Sequence, residues 1–163
     1  MTKRQILVIA LITAAVAAVW AAVFLVMNKQ KEARQFVPPP FEENAEAGTP
    51  EEVDDRYKVF DFAGVYSAGL IGEPEAKDGR VEVCFSSAET NTVWLKCKIL
   101  DAESGEVLAE SGVLKPGTFV RSIALLKDRK GDVAVKYRVI SYEPETYYSE
   151  GSVNIATTLH VLK

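Results

Sequence analysis

The sequence predicts an all-β domain, an antiparallel sandwich of about seven strands, set behind one transmembrane α-helix and a disordered linker. Three observations carry this. An unbroken apolar run extends from Ile6 to Met27 and holds no charge, proline or glycine. A stretch rich in Pro and Glu follows it as far as Arg56. Beyond that, short runs of Val, Ile, Tyr and Thr alternate with turn residues, and no long stretch has helical periodicity. The expected boundaries are a cytoplasmic tail over 1–5, the helix over 6–27, the linker over 28–56 and the sandwich over 57–163.

The apolar run matches the ~30 Å hydrocarbon core, which about 20 apolar residues cross as a helix. Cleavage after Ala17 as in a signal peptide would leave a greasy new terminus, Ala18-Val19-Trp20-Ala21-Ala22-Val23-Phe24, and no Cys lies near the run to take a lipid. The run therefore reads as an uncleaved signal-anchor. Lys3 and Arg4 precede it, while Lys29, Lys31 and Arg34 follow, so the charge bias is nearly balanced. The short N-terminal tail favours a cytoplasmic N-terminus. The expectation is a single-pass protein of the cell membrane with its C-terminal domain extracytoplasmic. Ala10, Ala14, Ala18 and Ala22 recur every four residues, which stacks small side chains on one helix face. Such a face permits close packing in lipid, either in a homo-oligomer or against another protein's helix. The rival reading is an inert anchor that happens to be rich in alanine.

From Asn28 to Arg56 the chain changes character. Pro38-Pro39-Pro40 favours extended polyproline geometry, and Glu42, Glu43, Glu46, Glu51, Glu52, Asp54 and Asp55 follow. A segment this polar cannot bury enough apolar area to offset its ordering entropy, so it reads as a spacer. The acidic cluster shows no ligand spacing of a calcium loop. No cofactor or metal is expected, and a net charge of −4 with no basic patch gives no sign of nucleic acid as a partner.

Strands are expected near residues 65–71, 80–86, 92–100, 106–111, 119–126, 133–142 and 152–162. Val93, Leu95, Cys97 and Ile99 share one face, with Lys96 and Lys98 opposite. Val133, Val135, Tyr137 and Val139 form a second apolar set, and Val153, Ile155, Thr157, Leu159 and Val161 a third. The run 119–126 is apolar on both faces, which suits a bulge. Lys115-Pro116-Gly117 fits a type II turn, and Asp101 to Gly105 fits a hairpin loop.

Several of these pieces carry a resemblance. They are Asn91-Thr92-Val93-Trp94-Leu95, Gly105-Glu106-Val107-Leu108, Ser111-Gly112-Val113-Leu114-Lys115-Pro116-Gly117, Tyr142-Glu143-Pro144-Glu145-Thr146 and Thr158-Leu159-His160-Val161. From about Val81 onward the chain resembles small single-pass surface proteins of Gram-positive Firmicutes, which carry an anchor, a polar linker and one immunoglobulin-like sandwich. Gly131-Asp132-Val133 departs from the Gly-x-Tyr with which such proteins often enter the penultimate strand. The resemblance implies an immunoglobulin-like domain at the cell surface. It implies no activity.

Nothing in the chain reads as catalytic. The single histidine, His160, alternates out of phase with Leu159 and Val161 and is expected on the solvent face with no carboxylate beside it. No phosphate loop, zinc spacing or nucleophile elbow occurs. Cys84 and Cys97 are candidates for a disulfide, but alternation sets Cys84 outward and Cys97 inward, and opposite faces cannot be bridged. A one-residue slip in register would reverse this. Trp94, Tyr142, Tyr147 and Tyr148 are the candidates for an exposed aromatic binding patch, against ordinary packing at the sandwich edges. The function expected is a non-enzymatic, membrane-anchored binding or scaffolding module with a protein partner in the cell envelope. The alternative is a structural subunit of an envelope secretion, conjugation or pilus assembly that uses the helix as a contact surface.

Overall fold

Apolar residues at alternate positions bury one face of a strand and wet the other, and this pattern shapes the domain. The computed structural model of the chain describes Trp20, residues 37–51, Val53 and residues 55–162. The helix expected over 6–27, with Ala10, Ala14, Ala18 and Ala22, lies outside the described residues apart from Trp20. Among the described residues no helix is long and apolar enough to cross a membrane. The chain divides into two units, Met1–Pro38 and Pro39–Lys163, and the second holds all the strands found among the described residues.

The strands are β1 (Glu46–Ala47), β2 (Tyr57–Phe62), β3 (Tyr66–Ile71), β4 (Glu75–Lys77), β5 (Arg80–Ser87), β6 (Trp94–Asp101), β7 (Val107–Leu114), β8 (Thr118–Ala124), β9 (Gly131–Tyr142) and β10 (Ser149–Val161). They form one sheet in the order β1-β8-β5-β4-β10-β9-β6-β7, with β3 also beside β5 and β2 outside β3. Pairing between these strands is antiparallel except where β4 runs parallel to β10. The path curls back on itself. Ala109 of β7 bridges Leu125 just beyond β8, and the Leu126 N–H donates to the Leu108 carbonyl at 2.8 Å. The domain is thus all-β and wrapped around one core, in which Leu70, Phe85, Leu95, Ile99, Tyr137 and Leu159 are fully buried.

All seven expected strands form, with small shifts at their ends, and β1, β2 and β4 add to them. The unit starts at Pro39, and Phe41, Glu46 and Ala47, assigned above to the spacer, pair with its strands.

The irregularity expected in 119–126 has its cause in the partner strand. Between Glu82 and Phe85 on β5, β8 advances only from Ser122 to Val120. The extra residue on β5 sets Val81 opposite Ile123 and Phe85 opposite Val120, and all four side chains lie in the core. Cys84 sits within this bulge at φ +39°. It is 2% exposed, which corrects the expectation that it faces solvent. Cys97 lies in the core as expected, and burial pushes its thiol well above the ordinary range. Both cysteines are thiols rather than a disulfide. Lys96, expected on the open face of β6, is only 8% exposed. Its Nζ lies 3.2 Å from the Glu110 carboxylate, which Lys98 also approaches at 3.0 Å. A buried ammonium needs such a partner.

The chain crosses from β3 to β4 through Gly72, Glu73 and Pro74, and two donors from the opposite strands secure the crossing. The Tyr137 hydroxyl donates to the Ile71 carbonyl at 2.9 Å inside the core. The Thr157 hydroxyl donates to the Gly72 carbonyl.

Two predictions test this packing. Tyr137→Phe leaves the Ile71 carbonyl buried and unsatisfied, so stability should fall by about 1–3 kcal/mol. Urea unfolding should show a lower midpoint with an unchanged slope, and an unmoved midpoint would remove this bond from the list of structural ties. Thiol titration without reductant should find both cysteines silent in the native protein and both reactive once it is denatured. A denatured, unreduced chain with no reactive thiol would contradict the β5 register.

Candidate binding site

Three prolines in a row cannot donate to a ladder, and they hold the chain extended. Their last carbonyl is still free to accept. It does so from the Val113 N–H at 2.8 Å, and the Glu42 N–H donates back to the Val113 carbonyl at 3.0 Å. Phe41 thereby forms a parallel bridge with Val113 at the edge of β7. The arm then crosses the Lys115-Pro116-Gly117 turn and pairs through β1 with Phe119 and Thr118 of β8. The Gly48 N–H closes the strap on the Gly117 carbonyl at 2.8 Å.

Close approach makes this contact depend on Gly112. A Cβ there would overlap the backbone of Phe41 and Glu42. With none, the Gly112 N–H reaches the Glu42 carboxylate at 2.6 Å. The other carboxylate oxygen accepts the Asn44 N–H at 3.2 Å. Ser111, one residue earlier, turns inward, and its hydroxyl accepts the Cys97 N–H at 3.0 Å where the β6–β7 register slips.

The Phe41 ring enters a cradle of two aromatic rings and one cation. Its centroid lies 4.8 Å from Trp94 and 6.5 Å from Tyr147, both edge to face, and Trp94 and Tyr147 are 5.0 Å apart. The Lys115 ammonium stands 4.7 Å above the Phe41 ring. Tyr147 holds φ +59°, uncommon for a bulky residue. The turn before it is capped by Glu143, whose carboxylate accepts the Thr146 N–H at 2.6 Å and the Glu145 N–H at 3.2 Å. These bonds, that of Thr146 foremost, hold the Glu143 carboxyl below the usual carboxylate range. A capped, strained turn presenting an aromatic ring is geometry that persists only where the surroundings impose it.

Of the four aromatic candidates, the structure brings Trp94 and Tyr147 together around Phe41. Tyr142 lies opposite Trp94 on β9, half-buried, and burial raises its hydroxyl above the ordinary value. Tyr148 is 65% exposed on the same turn as Tyr147. The sequence reading missed Phe41, Gly112 and Lys115. The available signals were a lone aromatic directly after three prolines and a glycine inside a strand, a position that often marks close backbone approach.

No family model, curated protein or solved structure matches this chain. The site must therefore be read from its own chemistry. Each ring pair is worth about 0.5–1.5 kcal/mol, an exposed cation–π contact about 0.5–1 kcal/mol and each backbone bond about 0.5–1.5 kcal/mol.

Two other places hold polar groups. A cleft of about 490 Å³ lies beside the end of the arm, with Gly48, Tyr57, Gly69, Ser86 and Glu89 in its walls. Tyr57 lies across Gly69, and its hydroxyl is 2.7 Å from the Ser86 Oγ. His160 pairs across strands with Asp132, Nδ1 to Oδ1 at 2.8 Å, which corrects the expectation that no carboxylate stands near it. Both partners are partly or largely solvated, so this is an exposed pair. Among the described residues no group of His, Cys, Asp and Glu is placed to hold a metal.

Phe41→Ala and Gly112→Val should each release the arm while leaving the core folded. Limited proteolysis should then cut within residues 42–51 several-fold faster than in the wild type, and Trp94 emission should shift to the red as it loses its ring cover. Unchanged cleavage in both variants would show that these contacts do not hold the arm.

Proposed function

We propose that this chain is a non-enzymatic, membrane-anchored binding or scaffolding module of the cell envelope, with its sandwich on the extracytoplasmic side. The observation that carries the proposal is the cradle, where Trp94, Tyr147, Lys115 and the β7 edge hold an extended peptide segment by strand pairing and one aromatic anchor. Edge-strand addition with a side-chain pocket is a recurring mode of peptide recognition.

An immunoglobulin-like reading of the domain draws support from the strand order. The run β3-β5-β8 and the run β10-β9-β6-β7 divide the sheet, and β4 touches both β5 and β10. Long β9 and β10 with short turns suit a sandwich that displays its loops at the ends. The membrane reading rests on the apolar run from Ile6 to Met27, and the orientation on the short basic tail before it.

Protease added to intact cells should remove the domain by cutting before Pro39, leaving a core fragment that resists further digestion. A domain protected until lysis would reverse the orientation. Crosslinking of the full-length chain in its native membrane should capture at least one envelope protein, and capture of none would favour an inert surface domain.

A further inference from the structure

The arm is held the way a ligand is held. We infer that the cradle is a recognition site for an extended segment of another envelope protein, bearing an aromatic residue followed by an acidic one, and that residues 40–48 occupy it in cis until such a segment displaces them. This inference rests on the binding-module reading above and names its partner's chemistry.

Each contact of the arm specifies one feature of the ligand. Backbone pairing on both sides of Val113 requires an extended strand running parallel to β7. The rings of Trp94 and Tyr147, with Lys115 above, require an aromatic side chain at the bridging position, since a cation binds a ring face. The Gly112 N–H, aimed at a carboxylate 2.6 Å away, requires an acid at the next position. Gly112 itself gives the ligand backbone room that any other residue would fill. The glycine, the fixed Tyr147 turn and the lysine form one site.

The cis occupant is also suited to leave. Phe41 stays 38% exposed within the cradle. The arm makes a single bridge to β7 and a two-residue strand on β8. Its departure would uncover two aromatic rings and an unpaired strand edge, which together make a docking surface rather than a solvated face.

The test uses the full-length chain in nanodiscs and a fluorescein-labelled peptide of residues 37–50, read by anisotropy. The double variant Phe41→Ala/Glu42→Ala, whose arm no longer competes, should bind the peptide. The wild type should bind it at least about tenfold more weakly, because the apparent affinity falls with the fraction of cradles left open. Adding Gly112→Val to the double variant should abolish binding, as should alanine at the peptide's phenylalanine. Circular dichroism and urea unfolding confirm that each variant is folded, and Lys115→Ala, expected to weaken binding several-fold, serves if Gly112→Val is not. A folded double variant that does not bind the peptide overturns the inference, and so does equal binding by wild type and double variant. A wild-type dimer that the double variant cannot form, seen by light scattering, would put a second copy's arm in the cradle and overturn the assignment to a different protein. An envelope protein crosslinked equally to wild type and Gly112→Val would leave the binding module standing and remove the cradle as its site.

Discussion

A backbone that changes partners leaves carbonyls that no ladder satisfies, and this domain turns on one such place. Between Ile71 and Glu75 the chain leaves its position beside β2 and enters the gap between β5 and β10. The carbonyls of Ile71 and Gly72 take their hydrogens from Tyr137 of β9 and Thr157 of β10. Burial keeps the Tyr137 hydroxyl protonated far above its ordinary range, so it remains a donor. The wrap closes because side chains from the opposite strands supply what secondary structure cannot.

The arm obeys the same constraint at the other side of the domain. Strand β7 would end the sheet path with an open edge at Val113, and the arm pairs it there. The run Ser111 to Gly117 makes this possible piece by piece. Ser111 satisfies the Cys97 N–H where the register slips, Gly112 admits the arm's backbone, Lys115 caps the Phe41 ring and Gly117 accepts from Gly48. Glycine, which marks turns in a sequence, here also admits a second backbone against a strand.

Much of this was readable from the chain. Val93, Leu95, Cys97 and Ile99 announced β6 and its buried face, and Val135, Tyr137 and Val139 announced β9. Trp94 and Tyr147 were legible as candidates because aromatics beside turns are accessible to ligands. The arm was not legible. Its composition is that of a spacer, and only a contact with residues seventy positions away orders it. Cys84 was misplaced for a related reason. Alternation assumes an unbroken strand, and the bulge on β5 changes what surrounds a residue without changing the pattern of letters.

By itself the sequence determined the all-β class of fold, the order of seven strands and the buried faces of β6 and β9, because periodicity is a local property of neighbouring residues. The tertiary structure alone decided that Phe41 belongs to the domain, that Gly112 must lack a side chain, that Lys96 is buried against Glu110, and that His160 meets Asp132. Those facts depend on which distant segments come within a few ångströms of one another. That is set by how the sheet curls, and no stretch of the chain encodes it alone.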